Sequence, residues 1–219
     1  MNKIACITQR PIQTLILMYL IGKKNYNFDV IFYSPLKNKK VEKKDESYIG
    51  LRSLEYQCKI SGIPLIKLKN LNSNTIIKIS KKYKLGSALA LITDTILKIK
   101  ILKSFKKGIF LTHGGILPNF RGVDANKWAI LKRSKFSGIS LIKLDKGVDT
   151  GKIVFVKKLI NKDKSYKQID KEIYYKYKLY LYEKIFLLLK LGKKIPFQKH
   201  SKKFPQYFKM DKKLLKLIK

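Results

Sequence analysis

Short apolar segments alternate with longer segments of helical periodicity along most of the chain. Each apolar segment is bounded by polar or turn-forming residues, which is typical of strands buried on both faces. The predicted strands cover residues 3–8, 28–34, 64–68, 87–92, 108–113, 137–144 and 152–159. The predicted helices cover residues 11–22, 48–60, 74–83 and 165–191. This alternation predicts an α/β fold with a mostly parallel sheet.

The chain after residue 160 has a different texture. A long helical pattern rich in Tyr, Leu and Lys is followed by a basic tail, residues 192–219, that prolines interrupt. We predict a core of residues 1–160, with a C-terminal helix and basic tail, residues 161–219, packed on the same domain. Parallel sheets bind ligands beyond the carboxyl ends of their strands, so the loops after the strands are the places to search for chemistry.

Composition narrows the class of protein. Hydrophobic residues make up 45% and aromatic residues 11% of the 219 residues, which is enough to build a folded core. The two cysteines, Cys6 and Cys58, lack the further pair that would suggest a zinc site or a disulfide framework, and they suit a reducing cytoplasm. The longest apolar stretches are too short for a bilayer or are interrupted by Asp94. We predict a cytoplasmic protein with no bound metal and no membrane association.

The formal net charge of +36 would ordinarily indicate a nucleic-acid partner. However, the lysines are spread along the whole chain, and AT-rich coding would produce the same composition. A dedicated phosphate-binding surface favours the arginine fork. Only four of the 50 basic residues are arginine: Arg10, Arg52, Arg121 and Arg133. We therefore expect generic attraction to nucleic acid and no specific recognition.

One histidine stands where a predicted strand meets a glycine turn. Residues 110–122 read FLTHGGILPNFRG, and His113 lies directly before the Gly-Gly pair. This position presents a proton-transfer group to a ligand. A buried structural histidine would show the same pattern. The other histidine, His200, is interpreted as a solvated residue of the tail.

A second glycine-containing turn carries two carboxylates. Residues 145–151 read DKGVDTG directly after a predicted strand. One of the two, Asp145 or Asp149, could therefore approach His113 and hold its imidazolium. Asp and Gly are common in turns, so the spacing alone does not decide between a structural and a catalytic role.

The ordered set of these motifs resembles the folate-dependent formyltransferase family. The motifs are HGGILPNFRG at residues 113–122, WAI at 128–130 and SGISLIKLDKGVDTGKIV at 137–154. That family includes methionyl-tRNA formyltransferases, glycinamide ribonucleotide formyltransferases and sugar N-formyltransferases, all of which use 10-formyltetrahydrofolate. The resemblance is strong over residues 108–154. It implies a Rossmann-like formyltransferase fold with a mostly parallel sheet and a short C-terminal helical extension.

The resemblance also implies roles for individual residues. His113 polarises the transferring formyl group and shuttles protons, while Asp149 orients His113 and receives the proton of the attacking amine through water. The residues implied to bind the folate are Leu91, Ile92, Leu144, Asp145, Gly147 and Val148. The residues implied to bind the acceptor are Gly114, Gly115, Asn119 and Arg121. The apolar residues of this set fit an ordinary core equally well, and Arg121 also fits a loop-closing salt link.

The chain departs from the family pattern at one position. The family carries Asn two residues before the histidine, where this chain has Leu111. Losing one oxyanion donor typically costs about 2.7–4 kcal/mol, or roughly 10²–10³ in rate. Three interpretations stay open. Thr112 substitutes after a local shift, the backbone N–H groups of Gly114 and Gly115 fill the hole, or the chain is a weak or inactive relative.

The acceptor is predicted by elimination. The glycinamide ribonucleotide branch of the family has a glycine-rich loop after its first strand, where residues 8–11 of this chain read TQRP. The tRNA branch carries a further C-terminal barrel, and this sequence ends at Lys219. We therefore expect a small amine, such as an amino sugar or a nucleotide sugar. The alternatives are a methionyl-tRNA formyltransferase-like enzyme and a catalytically weak, basic binding protein.

Overall fold

The computed structural model describes residues 2–36, 48–162, 164–198 and 204–218, so His200 lies outside the described residues. The chain forms two compact units. The first comprises Met1–Leu111 and Tyr182–Ile195, and the second comprises Thr112–Leu181 and Pro196–Lys219. The division expected at residue 160 stays a prediction.

Five parallel strands, in the order β3-β2-β1-β4-β5, form the sheet of the first unit. They are β1 (Ile4–Thr8), β2 (Val30–Tyr33), β3 (Leu65–Lys67), β4 (Ser87–Leu91) and β5 (Gly108–His113). The last two residues of β5 belong to the second unit. Every residue of β1, β2 and β4 is buried. These strands are therefore covered on both faces, as strands of parallel sheets usually are.

Four helices of the first unit connect these strands. They are α1 (Pro11–Gly22), α2 (Tyr48–Ile60), α3 (Asn74–Lys82) and α4 (Ile99–Lys103). Pro11 opens α1, where its missing N–H would have no helical partner in any case. Ser73 caps α3 by accepting a hydrogen bond from the N–H of Thr75 at 3.2 Å. The helix α4 was not predicted from the sequence, because five residues are too few to show a helical period.

The second unit contains two strand pairs. Its strands are β6 (Arg121–Gly122), β7 (Phe136–Lys143), β8 (Lys152–Ile160) and β9 (Gln206–Tyr207). β7 and β8 are antiparallel, with a register shift between Leu141 and Ile142. β6 and β9 are parallel. Strands of two residues have no readable alternation, and neither β6 nor β9 was predicted.

The remaining helical segments begin in the second unit. They are α5 (Ala125–Leu131), α6 (Tyr166–Glu172), a π-helical turn (Ile173–Tyr177), α7 (Lys178–Lys190) and α8 (Lys212–Leu215). Ser165 and Gln168 form a capping box at the start of α6. The single helix predicted for residues 165–191 is thus present, with a π turn inside it. The predicted α/β class with mostly parallel strand pairing is confirmed. None of the helices among the described residues is long and apolar enough to cross a membrane.

Candidate active site

His113 is the last residue of β5 and is only 7% exposed. Its Nδ1 lies 3.3 Å from Oδ2 of Asp149, and its Nε2 lies 2.7 Å from the carbonyl oxygen of Phe120. Carboxylate and carbonyl oxygens only accept hydrogen bonds, so both ring nitrogens face acceptors. The ring can donate to both only as the imidazolium cation. The structure therefore brings His113 and Asp149 together, and it adds a backbone partner that the sequence did not show.

Asp149 lies in the turn between β7 and β8, with a φ of 52° in the left-handed region that Asp tolerates better than most residues. Its Oδ2 also accepts a hydrogen bond from the N–H of Gly122 at 3.1 Å. Burial is the largest influence on its pKa and acts to raise it. The hydrogen bond and charge of His113, the N–H of Gly122 and the charge of Arg121 together outweigh burial and lower the pKa. Asp149 is therefore a carboxylate at neutral pH.

Glycine at position 115 allows the backbone to lie directly against the imidazole. A Cβ on Gly115 would lie 2.7 Å from Nε2 of His113 and 2.6 Å from the carbonyl oxygen of Phe120. The carbonyl of Gly115 accepts a hydrogen bond from Oγ of Ser140 at 2.7 Å. The same Oγ accepts from the N–H of Leu117 at 3.0 Å. One buried serine thus fixes the loop that surrounds the histidine.

The candidate oxyanion donors differ in availability. Leu111 is half-buried and its side chain has no donor. Thr112 points to the opposite side of β5 from His113 and lines a separate cavity. The N–H of Gly115 donates to the carbonyl oxygen of His113 at 2.9 Å, so it is already used. Of the two backbone donors considered, Gly114 is the one that belongs to an exposed residue. The interpretation of the chain as a weak or inactive relative stays a prediction.

The other carboxylate of the turn that carries Asp149 is Asp145, which stabilises the turn. Oδ1 of Asp145 accepts hydrogen bonds from the N–H of Gly147 at 3.0 Å and from Oγ1 of Thr150 at 2.6 Å. Asp145 therefore shapes the turn, and Asp149 is the carboxylate that reaches the histidine. Val148, between them, is 40% exposed.

The other predicted site residues lie in varied surroundings. Leu91 is fully buried at the end of β4, as expected of a core residue, and Ile92 after it is half-buried. Leu144 is half-buried directly after β7, and Asn119 is exposed. Arg121 is half-buried, and its Nε is buried without a hydrogen-bond partner among the residues that the structure describes.

A cavity of about 260 Å³ lies on the side of β5 where Thr112 points. The backbone at Gly114 and Gly122 lines it, but His113 and Asp149 do not. Its polar lining comes from the following side chains: Asp124, Asn126, Lys127, Tyr166, Asp170, Tyr174 and Lys178. This cavity is distinct from the surroundings of the imidazole.

The helical wall of this cavity was not predicted, although the sequence carries a signal for it. Tyr166, Asp170, Tyr174 and Lys178 are spaced four apart and therefore share one helix face. Burial and the neighbouring carboxylates of Asp170 and Asp124 raise the pKa of Tyr166. No group of three or more His, Cys, Asp or Glu side chains that could hold a metal occurs among the described residues.

Comparison with known proteins identifies the family. The family model described as formyl transferase matches residues 20–182, which is most of the chain. The chain belongs to the formyl transferase family. His113 and Asp149 both lie inside the matched residues.

The sequence relatives are matched over part of their length only. Over 98 residues the chain is 31% identical to a methionyl-tRNA formyltransferase of Finegoldia magna, a match that covers 45% of this chain and 32% of the relative. Over 109 residues it is 28% identical to that of Thermodesulfovibrio yellowstonii, covering 50% and 34%. The matched part of the chain thus spans about a third of the length of these curated relatives.

Solved structures confirm the predicted Rossmann-like formyltransferase fold. Glycinamide ribonucleotide transformylase 1 of Symbiobacterium toebii superposes with a TM-score of 0.67 and 16% identity, covering 88% of this chain and 89% of that one. A 4-N formyltransferase of Francisella tularensis has a TM-score of 0.67 and 16% identity, covering 94% and 76%. At such low identity these likenesses establish the fold of the chain and nothing finer.

Proposed function

We propose that the chain transfers a formyl group from 10-formyltetrahydrofolate to the amine of a small acceptor, with His113 and Asp149 as the catalytic pair. The observation that carries this proposal is the 3.3 Å contact between Nδ1 of His113 and Oδ2 of Asp149. The imidazole of His113 comes from the end of β5, and the carboxylate of Asp149 comes from the turn after β7. An imidazole held beside a carboxylate is the arrangement that general acid–base chemistry requires.

The residues beside Asp149 fit a folate. Val148 is 40% exposed and Leu144, four residues before it in the chain, is half-buried, so the turn offers apolar surface to a flat heteroaromatic ring. Because the N–H of Gly147 already donates to Asp145, the backbone carbonyl groups of these two residues would serve the polar edge of that ring. We propose that these four residues hold the pterin. The folate role predicted for Leu91 and Ile92 stays a prediction.

Three residues that follow β5 in the chain have groups that could contact the acceptor. Nε of Arg121, for which the described part of the chain holds no hydrogen-bond partner, would suit an anionic or carbonyl oxygen of the acceptor, because guanidinium groups bind such oxygens through parallel N–H donors. The backbone N–H of Gly114 is available in the same loop, next to an exposed Asn119. We propose these three residues as acceptor contacts, with Gly115 supporting the loop through its contacts with His113.

The two catalytic residues would divide the proton chemistry. The bound folate supplies an activated formyl group. As an amine adds to that carbon, negative charge grows on the formyl oxygen and the amine nitrogen must lose a proton. The formyl oxygen would replace the Phe120 carbonyl as the acceptor for the N–H of Nε2 of His113, and Asp149, a carboxylate at neutral pH, would receive the amine proton through water. The bond between the formyl carbon and the folate nitrogen would then break, and that nitrogen would take up a proton as tetrahydrofolate leaves.

The acceptor class divides into two candidates. A small amine, such as an amino sugar, follows from the absence of a glycine-rich loop at residues 8–11. A methionyl-tRNA type acceptor is favoured by the 31% identity to a methionyl-tRNA formyltransferase and by the net charge of +36. A panel containing amino sugars, nucleotide amino sugars and charged initiator tRNA distinguishes them directly.

The test of the catalytic pair compares two histidine variants. With 10-formyltetrahydrofolate and the acceptor panel, we expect His113→Ala to lower the transfer rate by about 10²–10⁴, the usual contribution of a general acid–base group. His200→Ala removes the other histidine and is the matched control, with an unchanged rate. Equal rates for wild type and His113→Ala would refute the proposed role of His113.

The Leu111 position provides a test in the opposite direction. Leu111→Asn restores a donor side chain on the His113 side of β5, and we expect the rate to rise by up to roughly 10²–10³. Leu111→Met, which keeps the side chain apolar, is the control and leaves the rate unchanged. Absence of formyl transfer in both the wild type and Leu111→Asn, with every acceptor, would exclude the proposed activity.

A further inference from the structure

The C-terminal tail contacts the segment that partners the catalytic pair. β9 pairs in parallel with β6, and the N–H of Val123 donates to the carbonyl oxygen of Tyr207 at 3.1 Å. The ring of Tyr207 stacks on Phe120 with the ring centroids 5.8 Å apart, and on Trp128 with the centroids 5.3 Å apart. The tail is therefore bound to residues 120–123 by both backbone and aromatic contacts.

The same short segment faces His113 and Asp149. The carbonyl of Phe120 meets Nε2 of His113, and the N–H of Gly122 donates to Oδ2 of Asp149. Gly122 has a φ of 99°, and a Cβ there would lie 2.2 Å from the carbonyl oxygen of Tyr207. Only glycine permits this close approach. A displacement of β9 would therefore disturb a contact of each catalytic residue.

Two further contacts anchor the tail on either side of this pairing. Nε1 of Trp128 donates to the carbonyl oxygen of Phe208 at 2.8 Å. The N–H of Met210 donates to Oδ2 of Asp124 at 3.1 Å, and the Met210 side chain is only 2% exposed. Nζ of Lys132 also lies 4.9 Å from the centroid of the Tyr207 ring. Because these contacts of the tail all fall within residues 120–132, the tail is placed to hold that segment in one position.

We infer that Tyr207 is a positioning residue for His113, which it restrains by holding the Phe120 carbonyl against Nε2. An imidazole with acceptors on both nitrogens has no free position for a formyl group. Nε2 becomes available only when Phe120 withdraws, and β9 opposes that movement. The catalytic meaning of this inference rests on the proposed function, whereas the contact itself does not depend on turnover.

The test reads the protonation of each ring nitrogen by two-bond ¹H–¹⁵N NMR of the whole chain. The sequence has two histidines, so His200→Ala assigns the signals. In the wild type we expect Nε2 of His113 to be protonated, because a carbonyl can only accept. In Tyr207→Ala we expect the Nε2 signal to move to the position of an unprotonated nitrogen, because Asp149 then keeps the proton on Nδ1.

Two control variants should keep the Nε2 signal of the wild type. Phe208→Ala removes a neighbouring ring that is 74% exposed, and we expect the wild-type spectrum. Tyr207→Phe keeps the stacked ring and should also retain the wild-type spectrum. If Tyr207→Ala does not fold, Tyr207→Leu takes its place, since it keeps apolar volume without aromatic stacking.

The outcomes separate this inference from the proposed reaction. An unchanged Nε2 signal in a folded Tyr207→Ala or Tyr207→Leu protein would overturn the positioning role, whatever its transfer rate. A shifted signal in a chain that transfers no formyl group would support the positioning of His113 by Tyr207, and would count only against the enzymatic proposal.

Discussion

The buried strands of the first unit and the loops around His113 in the second unit depend on different kinds of interaction. In the first unit every residue of β1, β2 and β4 is buried, and almost all of these side chains are apolar. In the second unit β8 mixes buried and exposed positions, and single polar side chains fix the structure at particular points. Asn126, for example, donates to the carbonyl of Gly138 at 2.9 Å and accepts from its N–H at 2.8 Å.

This difference separates what builds the fold from what builds the site. Apolar packing is shared among many neighbours, so no single contact defines the geometry of the buried strands of the first unit. The loops around His113 are instead fixed by individual hydrogen bonds, such as those of Ser140. A loss in the first unit should therefore change stability, whereas a loss in the second should change both stability and the geometry of the candidate site.

The largest loss of stability is expected from a substitution among the buried strands of the first unit. Phe32 in β2 is fully buried, and Phe32→Ala should lower the free energy of unfolding by about 3–5 kcal/mol, because a cavity replaces the ring. Urea denaturation measures this loss. Tyr56→Ala in α2, where the side chain is 66% exposed, is the control and should stay within about 0.5 kcal/mol of wild type. A loss below about 1 kcal/mol at Phe32 would contradict the comparison.

The same difference explains how much of the fold the sequence could predict. The buried strands and long helices of the first unit follow from periodicity, and their predicted bounds agree with the structure to within two residues. The sequence could not show β6 and β9, because two-residue strands exist only through their tertiary pairing. The π turn at Ile173–Tyr177 likewise interrupts a pattern that reads as an ordinary helix.

The candidate site was predictable in its side chains but not in its backbone. The glycine turns and strand ends indicated His113 and offered Asp145 or Asp149 as its partner. The carbonyl of Phe120, by contrast, carries no residue-specific signal, because every residue has a carbonyl group. The hydrogen bond that occupies the N–H of Gly115 was hidden for the same reason. Which backbone groups already have a hydrogen-bond partner depends on the tertiary structure.

A smaller loss of stability is expected when a polar contact of the second unit is removed. Asn126 is 6% exposed, and Asn126→Ala would leave the buried N–H and carbonyl of Gly138 without their partner. An unsatisfied buried group costs about 1–3 kcal/mol, so we expect a loss of at least that size in urea denaturation. Asn119→Ala, at an exposed position, is the control for stability. Equal stability of the two variants would show that packing alone holds this unit.

The smallest loss of stability is expected when the charge of Asp149 is removed. Because the folded state lowers its pKa, ionised Asp149 stabilises the fold above the unfolded value of about 3.9, and this contribution is lost as pH falls through the lower folded value. Asp149→Asn should therefore cost up to about 1 kcal/mol near neutral pH, since the amide oxygen can still accept from Gly122. The difference from wild type should disappear in acid.

The pH dependence distinguishes a specific contact from net charge. Denaturation of wild type and Asp149→Asn at several pH values should give curves that separate above about pH 4 and converge below it. Glu183→Gln in α7 removes one negative charge elsewhere in this highly basic chain. If Glu183→Gln reproduced the same difference, general charge repulsion would explain it. If only Asp149→Asn shows the pH-dependent difference, the stabilisation comes from the contacts of Asp149 with His113, Gly122 and Arg121. Individual polar contacts at the candidate site would then stabilise the second unit.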